Sequence, residues 1–368
     1  MFLLKYVLTA GLILLLAACS TSNDDQQAEG EITYVPIEIN EATEASDELE
    51  AVVADQLEVP WSIEELDGTF YLTERAGTIV TIIDGEASRH EVQLEHPIHA
   101  EGEGGLMGLV LDPNFEQNKI AYVYHTYLEN NEILNRIVRI EHADGKWTER
   151  EELLSGIPGG RTHNGGRLSI GPDGYLYATT GDAGIEELAQ EPEQMAGVIL
   201  RMGLDGSIPE DNPMSDSYVF SYGHRNPQGL TWLEDGTMYS SEHGPRGHDE
   251  INQIEPGNNY GWPTIIGDET GNGKEVSVFH SGSDTMAPSG MAAYDYSLYV
   301  AALRGAGVYR YDVQLDEIEK VLDGYGRIRD VKIIEDELYF ITNNTDDRGT
   351  PMERDDKLIK VMLNEDLE

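Results

Sequence analysis

Five polar clusters in the chain hold the residue types that bond-making chemistry needs. In Arg161-Thr162-His163-Asn164-Gly165-Gly166-Arg167 an imidazole lies beside two glycines. Glycine lets a backbone approach a ligand closely, and an imidazole is the natural proton acceptor near neutral pH. One hairpin later, Thr179-Thr180-Gly181-Asp182-Ala183-Gly184 ends a strand on a carboxylate. Such a group can hold an imidazole in one tautomer. Taken singly, His163 could as well bond a loop carbonyl, and Asp182 could simply cap a turn.

The other clusters suggest bound charge. Ser221-Tyr222-Gly223-His224-Arg225-Asn226-Pro227-Gln228 sets a planar guanidinium beside an amide, a pairing suited to a carboxylate or to an oxygen gaining negative charge. Ser240 to Asn252 and Gly257 to Pro263 combine Gly/Pro turns, which expose carbonyls, with carboxylates. Hard oxygen donors of this kind suit calcium better than zinc. His243 and His248, or His96 and His99, leave a transition-metal reading open. Finally, Arg304, Arg327 and Arg329 come from the last third of an acidic chain and suggest a polyanionic ligand. Arg327 and Arg329, two apart on an expected strand, should share a face. Their plainer role is pairing with nearby Asp and Glu.

These clusters need elements that bring them together. Short segments recur with one grammar: a turn, then alternating apolar residues around a Tyr. Copies start at residues 67, 118, 173, 235, 295 and 336, each with its Tyr (71, 122, 177, 239, 299, 339), and second alternating segments follow at Thr78-Ile79-Val80, Ile137-Val138-Arg139, Val308-Tyr309-Arg310 and Leu358-Ile359-Lys360. Period-two alternation bounded by Asp-Gly turns is hairpin chemistry. A lone four-stranded meander cannot bury both faces, whereas meanders packed around an axis can. The expected fold is therefore all-β, a six-bladed β-propeller of four-stranded antiparallel blades, with five or seven blades left open by the degenerate repeats.

With 24 basic and 69 acidic residues among 368, the net charge is −45. That excludes a nucleic-acid binder working through a basic face, and docking on anionic lipid through charge. One Cys permits no intramolecular disulfide. Met1 to Ala18 has a Lys5 flank and an apolar run too short for an ordinary transmembrane span, and it ends at Cys19 in a pattern that resembles a bacterial lipobox. The resemblance implies cleavage before Cys19, lipidation of that residue and an extracytoplasmic location, anchored to the membrane through lipid alone. A simple secreted chain with an incidental Cys is the alternative. Residues 19–50 are polar and acidic, without Lys or Arg, and read as a flexible tether. The folded domain is expected over 51–366.

Gly102-Glu103-Gly104-Gly105-Leu106, His163-Asn164-Gly165-Gly166-Arg167, Gly181-Asp182, Gly223 to Gly229, Glu242-His243-Gly244-Pro245, Asp249-Glu250-Ile251-Asn252, Asn259 to Pro263 and Arg327-Ile328-Arg329-Asp330 occur in this order. Together they resemble the glucose/sorbosone dehydrogenase family, soluble aldose sugar dehydrogenases that use pyrroloquinoline quinone (PQQ) on a six-bladed propeller. The resemblance runs from about Leu57 to Val361. It implies oxidation of an aldose to an aldonolactone, with electrons passed to an unknown acceptor. By the same resemblance His163 is the general base, Asp182 orients it, and Arg225 stabilises the reduced cofactor with Asn226 beside it. Ala302, Leu303, Arg304, Arg327, Ile328 and Arg329 match stretches that grip PQQ. The carbonyls of Gly244 and Pro245 match ligands of a catalytic calcium, and Glu250 and the Tyr260 backbone match a further calcium site. Glu103 falls at a cofactor-contact position where some members carry Gln. His243 likewise replaces Gln, and Arg304 replaces Lys. A calcium-dependent lactonase and a non-catalytic glycan- or protein-binding propeller are the competing readings.

Overall fold

The structure is a computed structural model, and residues 50–363 are described. The expected signal peptide, Cys19 and nearly all of the expected tether lie outside them. Strand β1 (Glu50–Ala54) comes first. The next four strands are β2 (Pro60–Leu66), β3 (Thr69–Glu74), β4 (Thr78–Ile83) and β5 (Glu86–Gln93). Then come β6 (Leu106–Leu111), β7 (Ile120–Glu129), β8 (Glu132–Ala143) and β9 (Lys146–Pro158). A third set is β10 (Leu168–Ile170), β11 (Leu176–Thr179), β12 (Val198–Met202) and β13 (Val219–Tyr222). A fourth is β14 (Pro227–Trp232), β15 (Met238–Glu242), β16 (Glu250–Ile254) and β17 (Phe279–His280). Strands β18 (Pro288–Tyr294), β19 (Ser297–Ala302), β20 (Gly307–Asp312) and β21 (Glu317–Asp323) follow. The last are β22 (Ile328–Ile334), β23 (Glu337–Thr342) and β24 (Leu358–Met362).

Each set is an antiparallel meander, and β1 completes the last sheet by pairing with β24, so the start of the described chain is fastened to its end. The first two meanders fuse into one eight-stranded sheet. Their outer strands β5 and β9 pair in parallel at Val92–Trp147 and Gln93–Thr148. This fusion departs from the expectation of separate four-stranded units. The contact is made at the start of β9, where Trp147 and Thr148 pair with β8 on one side and with β5 on the other.

Every Tyr of the sequence repeat lies in the second strand of a meander, at Tyr71, Tyr122, Tyr177, Tyr239, Tyr299 and Tyr339. The first strands lie side by side in the order β2, β6, β10, β14, β18, β22, and β22 returns to β2. An apolar cluster fills each junction between successive meanders. Ile79, Leu106, Val123 and Trp147 join the first to the second, and Tyr124, Leu168 and Leu200 the second to the third. Ile199, Leu230 and Ile254 join the third to the fourth, and Ile251, Leu298 and Val300 the fourth to the fifth. Val308, Ile328 and Phe340 join the fifth to the last, and Leu358, Ile341 and Leu72 close the ring on the first. Burial of such side chains is worth about 1.5–3 kcal/mol each, which is what a lone meander lacks.

This architecture gathers the polar clusters. In a meander, the loop entering the first strand and the loop leaving the second lie at the same end. Glu103, His163, Asp182, Arg225, His243, Arg304 and Arg327 all occupy such loops.

Candidate active site

His163 enters the site on a left-handed backbone turn (φ 58°) just before β10. Its Nδ1–H donates to Asp182 Oδ1 at 2.7 Å. A carboxylate only accepts, so Nδ1 carries a proton, and in the neutral ring the lone pair is on Nε2. Asp182 is fully buried. Its Oδ1 also accepts the Gly184 N–H at 2.8 Å, and its Oδ2 accepts Trp262 Nε1–H at 2.9 Å. Main-chain bonds stitch the loops together: Ala183 N–H donates to the His163 carbonyl, and Asp182 N–H to that of Arg225. Gly181 allows the approach, because a Cβ there would stand 2.0 Å from the His163 oxygen.

Trp262 links this pair to the next group. Its ring lies 5.2 Å from the Arg225 guanidinium, a cation–π contact. Arg225 NH1 donates to the His243 carbonyl at 3.1 Å, while its buried Nε has no partner. Beside it, Asn226 accepts the Gly165 N–H through Oδ1 at 3.0 Å, and its buried Nδ2 is unpartnered. Burial pushes the His243 imidazole down to about 4, so it is neutral at pH 7, and its Nε2 also lacks a partner.

Glu103 bonds protein groups through both oxygens. Its Oε2 accepts the His163 backbone N–H at 2.9 Å, and its Oε1 accepts Arg348 NH1 at 2.9 Å. Burial raises its carboxyl, but the His163 N–H, His243 and Arg348 together hold it at about 2. Each oxygen of this ionised carboxylate thus accepts one bond from the protein.

The three arginines do not share one role. Arg304 is exposed on the β19–β20 turn. Arg327 immediately precedes β22 and donates through NH2 to Asp346 at 2.7 Å. A register shift between Ile328 and Asp330 breaks the simple two-residue alternation that placed Arg327 and Arg329 on one face. Arg329 is buried and bonds only neutral partners: Gln228 Oε1 at 2.9 Å, Ser289 Oγ at 3.3 Å and Asn343 Oδ1 at 3.1 Å. Burial lowers its guanidinium to about 9, still charged at neutral pH. The side chains of Ala302 and Ile328 belong to the apolar junctions, and Leu303 is buried, so their backbones are what a ligand could meet.

The expected metal residues do come together. Gly244, Pro245, Glu250 and Tyr260 line one small hollow with Glu242, His243, Arg225 and Trp262. Among the described residues no three His, Cys, Asp or Glu side chains form a metal cluster, so a cation here needs main-chain carbonyls as well. The oxygen donors among these residues, two carboxylates and main-chain carbonyls, are hard and of the type that suits calcium. The Tyr260 hydroxyl is otherwise engaged, donating to Gln253 O at 2.6 Å. Burial and the neighbouring Glu242 push the Glu250 carboxyl up to about 8. Glu242 meanwhile accepts from His224 Nδ1, Arg225 N–H and Asn252 Nδ2.

For an anionic cofactor the fit rests on orphaned donors. Arg225 Nε, Asn226 Nδ2, Arg327 Nε and Arg329 Nε are all buried without a partner. Buried polar groups are nearly always satisfied, so these four donors, three in loops and one at the start of β22, call for a ligand rich in acceptors. Motif reading assigned no role to Trp262, Glu242, Asp346 or Arg348. Trp262 and Glu242 stood inside quoted motifs, whereas Asp346 and Arg348 carried no local signal.

Comparison with known proteins identifies the family. A family model described as Glucose / Sorbosone dehydrogenase matches residues 57–352. The aldose sugar dehydrogenase YliI of Escherichia coli is 30% identical over 341 residues, covering 80% of this chain and 90% of that one. Quinoprotein glucose dehydrogenase B of Acinetobacter calcoaceticus is 35% identical over 234 residues, which span 55% of this chain and about half (49%) of that relative. The PQQ-bound aldose sugar dehydrogenase of Streptomyces coelicolor superposes with a TM-score of 0.80 at 35% identity, over 85% of this chain and 96% of that structure. This chain belongs to the glucose/sorbosone dehydrogenase family.

Proposed function

We propose that the protein is a PQQ- and calcium-dependent aldose dehydrogenase, built on a six-bladed propeller, that oxidises the sugar to its aldonolactone. The observation that carries this reading is the His163–Asp182 pair set beside buried, unpartnered guanidinium and amide donors. His163 Nε2 takes the proton of the anomeric hydroxyl, because Asp182 keeps the proton of the neutral ring on Nδ1. Arg225 and Asn226 hold the oxygens that gain negative charge, and Arg327 and Arg329 hold carboxylates. Bound PQQ supplies the two-electron acceptor, which is why no reactive Cys is required. Calcium would sit against the carbonyls of Gly244 and Pro245, with a second ion at Glu250 and Tyr260. The electron acceptor beyond the cofactor is a separate molecule. Cys19 is the lipid attachment point, and it places the enzyme outside the cytoplasm.

The test is reconstitution. Purified protein with calcium, PQQ and a panel of aldoses should reduce a dye acceptor. His163→Ala should keep cofactor affinity and lose turnover by about two orders of magnitude or more. Absence of PQQ binding in a calorimetric titration overturns the reading and favours a non-catalytic module. Lactone hydrolysis without PQQ favours a lactonase.

A further inference from the structure

Glu103 sets two demands against each other. It lies in the loop before β6, at the end where the polar loops gather, and it is ionised at neutral pH. A fixed anion there opposes an anionic ligand. Yet its Oε2 accepts the backbone N–H of His163, which stands on a left-handed turn. A carboxylate accepts such a bond more strongly than a neutral oxygen does.

The two loops are tied together by their main chains as well. Glu103 N–H donates to the Arg161 carbonyl at 2.9 Å, and a Cβ at residue 102 would stand 2.1 Å from that same oxygen, so the approach needs glycine. Arg75 braces the loop from the first meander, donating through NH2 to the Gly102 carbonyl at 2.6 Å and through Nε to that of Gly104 at 3.2 Å. The Glu103 main chain is therefore fixed beside that of the base.

A compensating charge arrives from 245 residues away. Arg348, in the loop after β23, donates through NH1 to Glu103 Oε1 at 2.9 Å. Among the described residues this is the one ion pair that Glu103 makes. The loop is itself folded: Arg348 N–H donates to Asp346 Oδ1 at 3.0 Å, and Asp346 Oδ2 accepts Arg327 NH2 at 2.7 Å. Charges thus alternate along the path from the base to Arg327. The Arg348 side chain is 55% exposed, so it adds charge to this end of the molecule more than it adds packing.

We propose that Arg348 is a positioning residue acting through Glu103: it cancels the charge of the carboxylate that holds the His163 main chain, so that the base is fixed without an unanswered anion facing the cofactor. The inference rests on the PQQ reading above.

The experiment compares Arg348→Met with the double variant Glu103→Gln, Arg348→Met. The first leaves the carboxylate unanswered; the second keeps an acceptor for the His163 N–H and carries no charge. PQQ is titrated into calcium-loaded full-length protein by absorbance, and cofactor-free melting temperatures are recorded beside it. Arg348→Met should weaken PQQ binding at least about tenfold relative to wild type, and the loss should shrink at about 1 M salt, where the screening length is about 3 Å. The double variant should bind within about threefold of wild type, because the two substitutions act through one charge. Without cofactor it should melt at or above Arg348→Met, since a mostly buried anion is costly when unpaired. Wild-type affinity in Arg348→Met overturns the proposal. So does a double variant that binds as weakly as the single one, because Arg348 would then act by packing or by touching the cofactor itself, and so does a double variant that melts below the single one. Failure of wild type to bind PQQ overturns the cofactor reading and this use of the charge with it. The melting comparison still decides separately whether Arg348 compensates Glu103.

Discussion

Replacing Asp182 with Asn tests whether the imidazole is oriented by this carboxylate. Three donors converge on it: His163 Nδ1–H and Gly184 N–H on Oδ1, and Trp262 Nε1–H on Oδ2. An amide can accept on one side only. With its NH2 group toward Trp262, two donors face each other. With NH2 toward His163, the ring must turn to the tautomer that protonates Nε2, and proton acceptance is lost. Either arrangement leaves a buried polar group unsatisfied, at a cost of about 1–3 kcal/mol. In a domain of this size that lowers the melting temperature by a few degrees. A positioned base contributes about 10²–10⁴ in rate. Turnover should therefore fall at least about 100-fold, while the PQQ dissociation constant stays within about threefold, because Asp182 faces the base and not the cationic residues. The assay is dye reduction at saturating aldose beside a direct PQQ titration. Turnover within fivefold of wild type would refute the argument, as would equal losses in affinity and turnover.

Chelation of calcium should lower the melting temperature by several degrees and restored calcium should recover it, since an ion held at 100 times its dissociation constant stabilises by about 2.7 kcal/mol; differential scanning fluorimetry with and without chelator measures this. His125 is fully buried, and burial holds its imidazole down to about 3. Between that value and the unfolded value near 6.5 the unfolded chain binds the extra proton, so stability is lost as pH falls through this window, by up to about 1.4 kcal/mol per pH unit. His125→Gln should flatten that slope in urea melts at pH 4.5, 5.5 and 7, and an unchanged slope would count against it. A Cβ at residue 290 would stand 1.6 Å from Asp330 Oδ1, so Gly290→Ala forces Asp330 away from Arg167 and should cost at least about 3 kcal/mol in chemical denaturation, against near neutrality if the space were open.

The repeat was legible because strand patterning is local. A Tyr in each second strand, flanked by alternating apolar residues, marks a half-buried face regardless of what lies opposite. The β5–β9 fusion was not legible, because it depends on where two edges come to lie after packing. His163 and Asp182 were readable as a pair, since the short β10–β11 hairpin returns the chain to the same end of the sheet.

Residue types and their order also determined where the polar clusters belong: in loops before first strands and after second strands, which alternating strand direction brings to one end. Only the tertiary structure decided which acid each paired cation meets. Arg327 is answered by Asp346, Glu103 by Arg348 and Arg167 by Asp330, across 19, 245 and 163 residues of chain. Such partners carry no local signature. Ion pairing depends on separation in space, and in a chain with 69 acids nearly every cation has many candidates. Packing of the inner strands, with room made at Gly290 and an aromatic face at Trp61, chooses among them and leaves Arg329 without a carboxylate.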